Sequence, residues 1–244
     1  MADAKIHVLR VPIDNVTESE AVDRLLTFLE EDRHHLLVTP NPEMIMLAQD
    51  DPSFMEILRA ADLSLPDGVG VVLASRFIGR PFRERVPGCD VIQILLEKMA
   101  HTDHTVYFFG AAPGVAAQAK ENMEKKYPGI RIIGVHDGYF DQEEEKLICE
   151  EIRQKRPDLL MLGLSMGMAE KWAYAHSDLP VRVSACVGGT IDVLAGQVKR
   201  APALMRKMGV EWLYRLIRQP WRAVRMLRLP VFVLKVLFQK TRGS

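Results

Sequence analysis

Two turns place short polar side chains between residues that stiffen the backbone. Thr39-Pro40-Asn41-Pro42-Glu43 sets a hydroxyl and an amide among prolines that fix φ. On the plain reading Asn41 caps a helix whose first residue is Pro42. On the chemical reading Thr39 and Asn41 offer hydrogen bonds to a ligand. Leu65-Pro66-Asp67-Gly68 is a common turn sequence, yet Asp67 is also a carboxylate at a strand end. Beside Thr39 it could act as a general base. Arg85, in Arg83-Glu84-Arg85-Val86-Pro87-Gly88, is either a solvated loop cation or a phosphate partner.

Glycine turns form the second set of candidates. Gly110-Ala111-Ala112-Pro113-Gly114 would let backbone N–H groups approach a diphosphate. Val187-Gly188-Gly189-Thr190 leads to Asp192, which could reach a ribose or sugar hydroxyl, or serve only close helix–sheet packing. Neither turn is a GxGxxG or P-loop sequence, and VPIDNV follows the first strand where a dinucleotide enzyme would carry its fingerprint. The seven histidines show no paired-ligand spacing and no Asp-x-Asp occurs. No metal and no cofactor are therefore expected.

These turns need a scaffold, and the hydropathy pattern supplies one. Apolar runs at Ile6–Val11, His35–Thr39, Leu63–Leu65, Thr105–Phe109, Arg131–Val135, Leu159–Leu164 and Arg182–Val187 predict strands. Runs such as VYFF and LLMLGL fit strands covered on both faces. Between them the spacing predicts helices from a capping box at Thr17–Glu20 to about Glu31, and over Met44–Arg59, Val69–Phe77, Asp90–Ala100, Val115–Lys126, Gln142–Arg156 and Ala169–His176. The alternation predicts an α/β fold with a Rossmann-like, mostly parallel sheet and helices on both faces. From Lys199 onward only helices are expected, punctuated by Pro202, Pro220 and Pro230. This divides the chain into a body, 1–198, and a helical appendage, 199–244.

Charge marks the same boundary. Of 32 Lys and Arg, twelve lie in 199–244, but only one of 32 acids does, so a net charge of zero hides a body near −11 and a tail near +11. Arg215, Arg218, Arg222 and Arg225 share one helical face, with Trp221 and leucines elsewhere. That pattern suits an interfacial helix on an anionic membrane surface, with Arg218, Trp221, Arg222 and Arg225 as its contacts. A helical arm packed on the body is the competing reading. The apolar content and acidic body argue against nucleic acid.

Leu229 to Phe238, interrupted by Lys235, falls short of a membrane span, and the first residues lack a secretory leader pattern. Three scattered cysteines suggest neither a disulfide framework nor a zinc site. The expected place is the cytoplasm, peripheral on a membrane surface. A homo-oligomer is left open.

Taken in order, the turns resemble one family. Thr39-Pro40-Asn41-Pro42-Glu43, Pro66-Asp67-Gly68, Glu84-Arg85-Val86-Pro87-Gly88, Gly138-Tyr139-Phe140, Gly188-Gly189-Thr190-Ile191-Asp192, Val193-Leu194-Ala195-Gly196, Lys199-Arg200-Ala201-Pro202 and Gly209-Val210-Glu211-Trp212-Leu213-Tyr214-Arg215-Leu216 are similar to the WecG/TagA/CpsF glycosyltransferases, from about residue 7 to 238. The resemblance implies transfer of an N-acetylmannosamine-type sugar from a UDP donor, with inversion. The implied acceptor is undecaprenyl-diphosphate-linked N-acetylglucosamine at the inner face of the bacterial cell membrane, and the product primes wall teichoic acid or a related surface polysaccharide. One stretch departs from the pattern. Where the family reads Gly-x-Pro-x-Gln-Glu-x-Trp, this chain has Ser165-Met166-Gly167-Met168-Ala169-Glu170-Lys171-Trp172.

On this reading Asp67 deprotonates the acceptor hydroxyl while Thr39 and Asn41 orient a sugar. Arg85, with Arg215 from the tail, meets the diphosphate. Gly110, Tyr139, Glu170, Gly188, Gly189 and Asp192 complete the substrate contacts. The rivals are a non-catalytic nucleotide-sugar sensor on the membrane, suggested by the altered Gly167–Ala169 stretch, and a dinucleotide oxidoreductase.

Overall fold

A computed structural model describes residues 5–198, 201–202, 205, 211–218 and 228–242, without the side chains of 211, 212, 215, 218 and 240–242. Six strands form one parallel sheet: β3 (His35–Val38), β4 (Leu63–Ser64), β5 (Thr105–Gly110), β6 (Arg131–His136), β7 (Leu159–Gly163) and β8 (Val183–Cys186). Their order is β4-β3-β8-β7-β5-β6. Alternate side chains enter two different cores. Tyr107, Phe109, Leu160 and Leu162 pack on one face, and Val106, Phe108, Leu159 and Met161 on the other. Burial on both faces explains why these strands read as unbroken apolar runs.

Helices α1 (Glu18–Glu30), α5 (Gly88–Met99), α6 (Val115–Lys126) and α9 (Thr190–Leu194) cover one face. The other carries α2 (Pro42–Asp50), α3 (Pro52–Ala60), α4 (Val69–Phe77), α7 (Gln142–Lys155) and α8 (Met168–Ala175). The predicted capping box holds: Thr17 accepts from the Glu20 N–H, and Glu20 accepts from the Thr17 N–H. The stretch predicted over Met44–Arg59 is two helices, because Asp51 ends the first and caps the second, whose first residue is Pro52.

The first predicted strand is a correction. Ile6–Val11 is not a strand of the parallel sheet but two short strands, β1 (Ile6–Val8) and β2 (Val11–Ile13), paired antiparallel. Leu9 and Arg10 form the two-residue turn, both at positive φ (47° and 71°). Such turns favour Gly, Asn or Asp, so nothing in the sequence announces this one. The hairpin meets the sheet through Asp14, which accepts from the Ser64 N–H at 2.9 Å and pairs with Arg24 at 3.0 Å.

Two helices of the tail are described, α10 (Glu211–Arg218) and α11 (Leu229–Arg242). The packed-arm reading holds for α11. Phe232 and Val236 are buried in the core that also holds α2 and α4. Arg228 pairs with Asp50 at 3.5 Å. The Gln239 side chain clasps the hairpin turn, its amide donating to the His7 carbonyl at 2.9 Å and its carbonyl accepting from the Leu9 N–H at 2.8 Å. The tail contacts expected at Trp221, Arg222 and Arg225 lie outside the described residues. Arg218 lies in α10, with its side chain outside them.

Candidate active site

Ligands of open parallel sheets bind beyond the carboxyl ends of the strands, where neighbouring connections leave to opposite faces. Here β7 leads to α8 on one face and β8 to α9 on the other. A cleft of about 720 Å³ opens at that point, lined by the turns after β3, β4, β7 and β8, by Arg85 to Cys89, and by α4 and α11.

Two of these turns are pressed together through glycines. A Cβ on Gly70 would meet the Pro42 ring at 2.7 Å, and one on Gly68 would meet it at 3.2 Å. Gly88, at the start of α5, is as tightly placed: a Cβ there would lie 2.6 Å from the Thr39 methyl and 3.8 Å from Asp67 Oδ2. Thr39, Asp67 and Gly88 therefore converge although they come from three connections.

Asp67 is held by Arg85. The guanidinium Nε donates to the Asp67 carbonyl at 2.6 Å, and Nη2 lies 3.6 Å from its carboxylate. Thr39 donates its hydroxyl to the Cys186 carbonyl at 3.3 Å, tying the β3 turn to the end of β8. Asn41 is the helix cap its surroundings suggest: Oδ1 accepts from the Met44 N–H at 3.0 Å. Capping uses only the oxygen, so the amide nitrogen remains a donor in a residue that lines the cleft.

Two further carboxylates line the cleft. Glu170 is 4 % exposed and accepts from the Gly167 N–H at 2.8 Å. Burial holds its carboxyl above the usual range, against the pull of backbone hydrogen bonds. Asp192 is raised in the same direction, again chiefly by burial. Cys186 is pushed up by burial and by the charge of Glu170. The N-terminal ends of α2, α4, α5 and α8 also face this space through Asn41, Gly68, Pro87 and Ala169. Each contributes partial positive charge, which favours an anion such as a diphosphate.

Of the sequence candidates, Thr39, Asn41, Asp67, Arg85, Glu170, Gly188, Gly189 and Asp192 meet in the cleft. Gly110 and Tyr139 do not line it. Gly110, at φ 137°, packs against Gly163 of the neighbouring strand, where a Cβ would lie 2.4 Å from its carbonyl carbon. Tyr139 follows the edge strand β6 and is 71 % exposed. Arg215 lies in α10, with its side chain outside the described residues. Sequence reasoning missed Ser165, Met166, Leu73, Phe77 and the α11 residues that line the same space. Leu73 and Phe77 left one signal, an i, i+4 apolar pair beyond the helix's buried residues.

The departing stretch is part of the cleft wall. Gly167 stands at φ 83°, a conformation closed to proline, so the backbone here differs from any chain with proline at this position. Among the described residues, no cluster of three or more His, Cys, Asp or Glu could hold a metal ion. Nor, among them, is any helix long and apolar enough to cross a membrane.

Comparison with known proteins adds three findings. A model described as "Glycosyl transferase WecG/TagA/CpsF family" matches residues 6–244. A Bacillus spizizenii protein named N-acetylglucosaminyldiphosphoundecaprenol N-acetyl-beta-D-mannosaminyltransferase is 37% identical over 86% of this chain and 82% of its own length. A Staphylococcus aureus protein of the same name is 32% identical over 98% of this chain and 94% of its own.

Proposed function

This chain belongs to the WecG/TagA/CpsF family of glycosyl transferases, and from that premise we propose that it moves an N-acetylmannosamine-type sugar from a UDP donor to N-acetylglucosamine on a polyprenyl diphosphate. Acceptor and sugar follow the activity in the relatives' names. The product would serve wall teichoic acid or a related surface polysaccharide. One observation carries the reading: the Asp67–Arg85 pair stands in a cleft ringed by four helix N-termini. That arrangement supports a reading of Asp67 as a base beside a seat for a diphosphate.

The reaction is a single displacement. Asp67 takes the proton from the acceptor hydroxyl, whose oxygen attacks the donor's anomeric carbon as the bond to the diphosphate oxygen breaks. UDP leaves with the electron pair and the anomeric centre inverts. Arg85 and the helix N-termini stabilise the charge that develops on the leaving diphosphate without help from a metal. Thr39 and the Asn41 amide orient a sugar, and Asp192 and the Gly188-Gly189 turn hold the donor. Glu170, committed to the Gly167 N–H, shapes the wall. Arg215 is the tail arginine we assign to the leaving diphosphate.

The basic appendage, 199–244, keeps the enzyme on the inner face of the cell membrane, where such an acceptor resides. Support comes from α11, whose outward residues Val231, Leu234 and Phe238 are large, apolar and exposed. A helix apolar on both its inner and outer sides fits a protein–membrane boundary. Incubation with labelled UDP-N-acetylmannosamine and lipid-diphosphate N-acetylglucosamine tests the reading. A β-linked disaccharide on the lipid is expected. Binding of UDP with no transfer from any donor in a panel of UDP-sugars sinks it in favour of the sensor.

A further inference from the structure

The cleft has two unlike sides. Its floor is polar, built from the strand-end turns that carry Asp67 and Arg85. One wall is apolar, made by Leu73 and Phe77 of α4 facing Leu229, Val233, Val236 and Leu237 of α11. Leu73 and Phe77 are four residues apart on one helix, as are Val233 and Leu237 on the other, so each pair forms a stripe along its axis. These four side chains are 43–53 % exposed, although both helices contribute other residues to the core. A UDP-sugar offers little apolar surface to match such a wall.

Position strengthens the point. Asp67 precedes α4 directly, so the wall starts where the base stands and runs along the helix away from it. At the α-helical rise, Leu73 lies about 8 Å and Phe77 about 14 Å along the axis from Gly68. That leaves room for a sugar and a diphosphate between the base and the apolar stripe. The wall is also concave and continuous with the reaction site, whereas the outward stripe of α11 is the side that suits a flat bilayer.

We propose that this wall seats the first isoprene units of the acceptor's polyprenyl chain, an inference that rests on the acceptor reading above. Chain recognition then belongs to the enzyme and does not depend on the membrane. Leu73, Phe77, Val233 and Leu237 determine which lipid carriers are used, by contact with the chain nearest the diphosphate.

The test compares two acceptors in buffer free of detergent and vesicles: N-acetylglucosamine diphosphate carrying farnesyl, and the same diphosphate carrying methyl. Wild-type protein should favour farnesyl by about tenfold or more in kcat/KM, since several apolar carbons leave water. In a Phe77→Gln, Leu237→Gln variant that ratio should fall close to one. Both side chains are already exposed, and thermal melting confirms that the variant folds. Leu147→Gln, an exposed position on α7 outside the cleft, should keep the wild-type ratio. Equal use of the two acceptors by wild type, or an unchanged ratio in the double variant, overturns the proposal. So does a chain preference that appears only when vesicles are added, which would assign these side chains to the membrane. Failure to glycosylate either acceptor refutes the acceptor reading itself, and the groove with it.

Discussion

Asp67 is held at its carbonyl and its carboxylate by one arginine, and Gly88 leaves no slack on the Thr39 side. Asp67→Asn should therefore keep its place and the affinity for UDP while losing the base. Turnover should fall by about 10²–10⁴-fold, measured as initial rates beside a UDP titration. Near-normal turnover would remove Asp67 from the role. Glu170 allows a different check. Burial raises its pKa in the folded protein above that of the unfolded chain, so folding binds its proton more tightly. Its contribution to stability is full below the ordinary glutamate range and is lost as pH rises through the raised value. Glu170→Gln, which can still accept from Gly167, should be more resistant to urea than wild type at pH 8. The difference should shrink as pH falls toward 4. Asp67 was legible as a candidate because it lies at a strand end, and Glu170 only through the family resemblance. The burial of Glu170 was not legible, since it depends on how the elements pack.

At the scale of elements, local rules located most of the fold. The capping box of α1, the Asn41-Pro42 start of α2 and the spans of α4 and α6 fall where caps and periodicity put them. Of the departures, one is local in cause and one is not. A turn of Leu9-Arg10 carries none of the residues that usually permit positive φ, so a hairpin was read as one strand. Gly110-Ala111-Ala112-Pro113-Gly114 reads as a phosphate turn but follows β5, one strand beyond the cleft. Strand order decides which glycine turn borders the cleft, and periodicity does not encode that order. The loop before α8 gives an element-scale prediction. Gly167→Pro restores the residue of the family pattern but cannot adopt φ 83°, and should destabilise the fold by about 1–3 kcal/mol. Chemical denaturation would show it. A variant as stable as wild type would mean that this loop readily takes a second conformation.

For the whole molecule, the sequence split into acidic body and basic tail understates how far the two are joined. Phe232 and Val236 of α11 are buried against α2 and α4, a long-range contact that charge and periodicity leave invisible. Deleting residues 229–244 should cost about 3 kcal/mol or more, from two large apolar side chains lost to the core. It should also open the cleft along one side. The expected product is a folded body of lowered melting temperature with little transfer activity. Full activity on a water-soluble acceptor would reduce the helix to an anchor.

The Gln239 clasp on the Leu9 turn joins nearly the first described residues to nearly the last. A ribosome delivers the hairpin long before its partner. All six strands of the parallel sheet precede α11 in the chain, so the cleft gains that wall only after the sheet has been made. The apolar wall is thus the last part of the cleft to be made, and the hairpin turn waits for the helix that holds it.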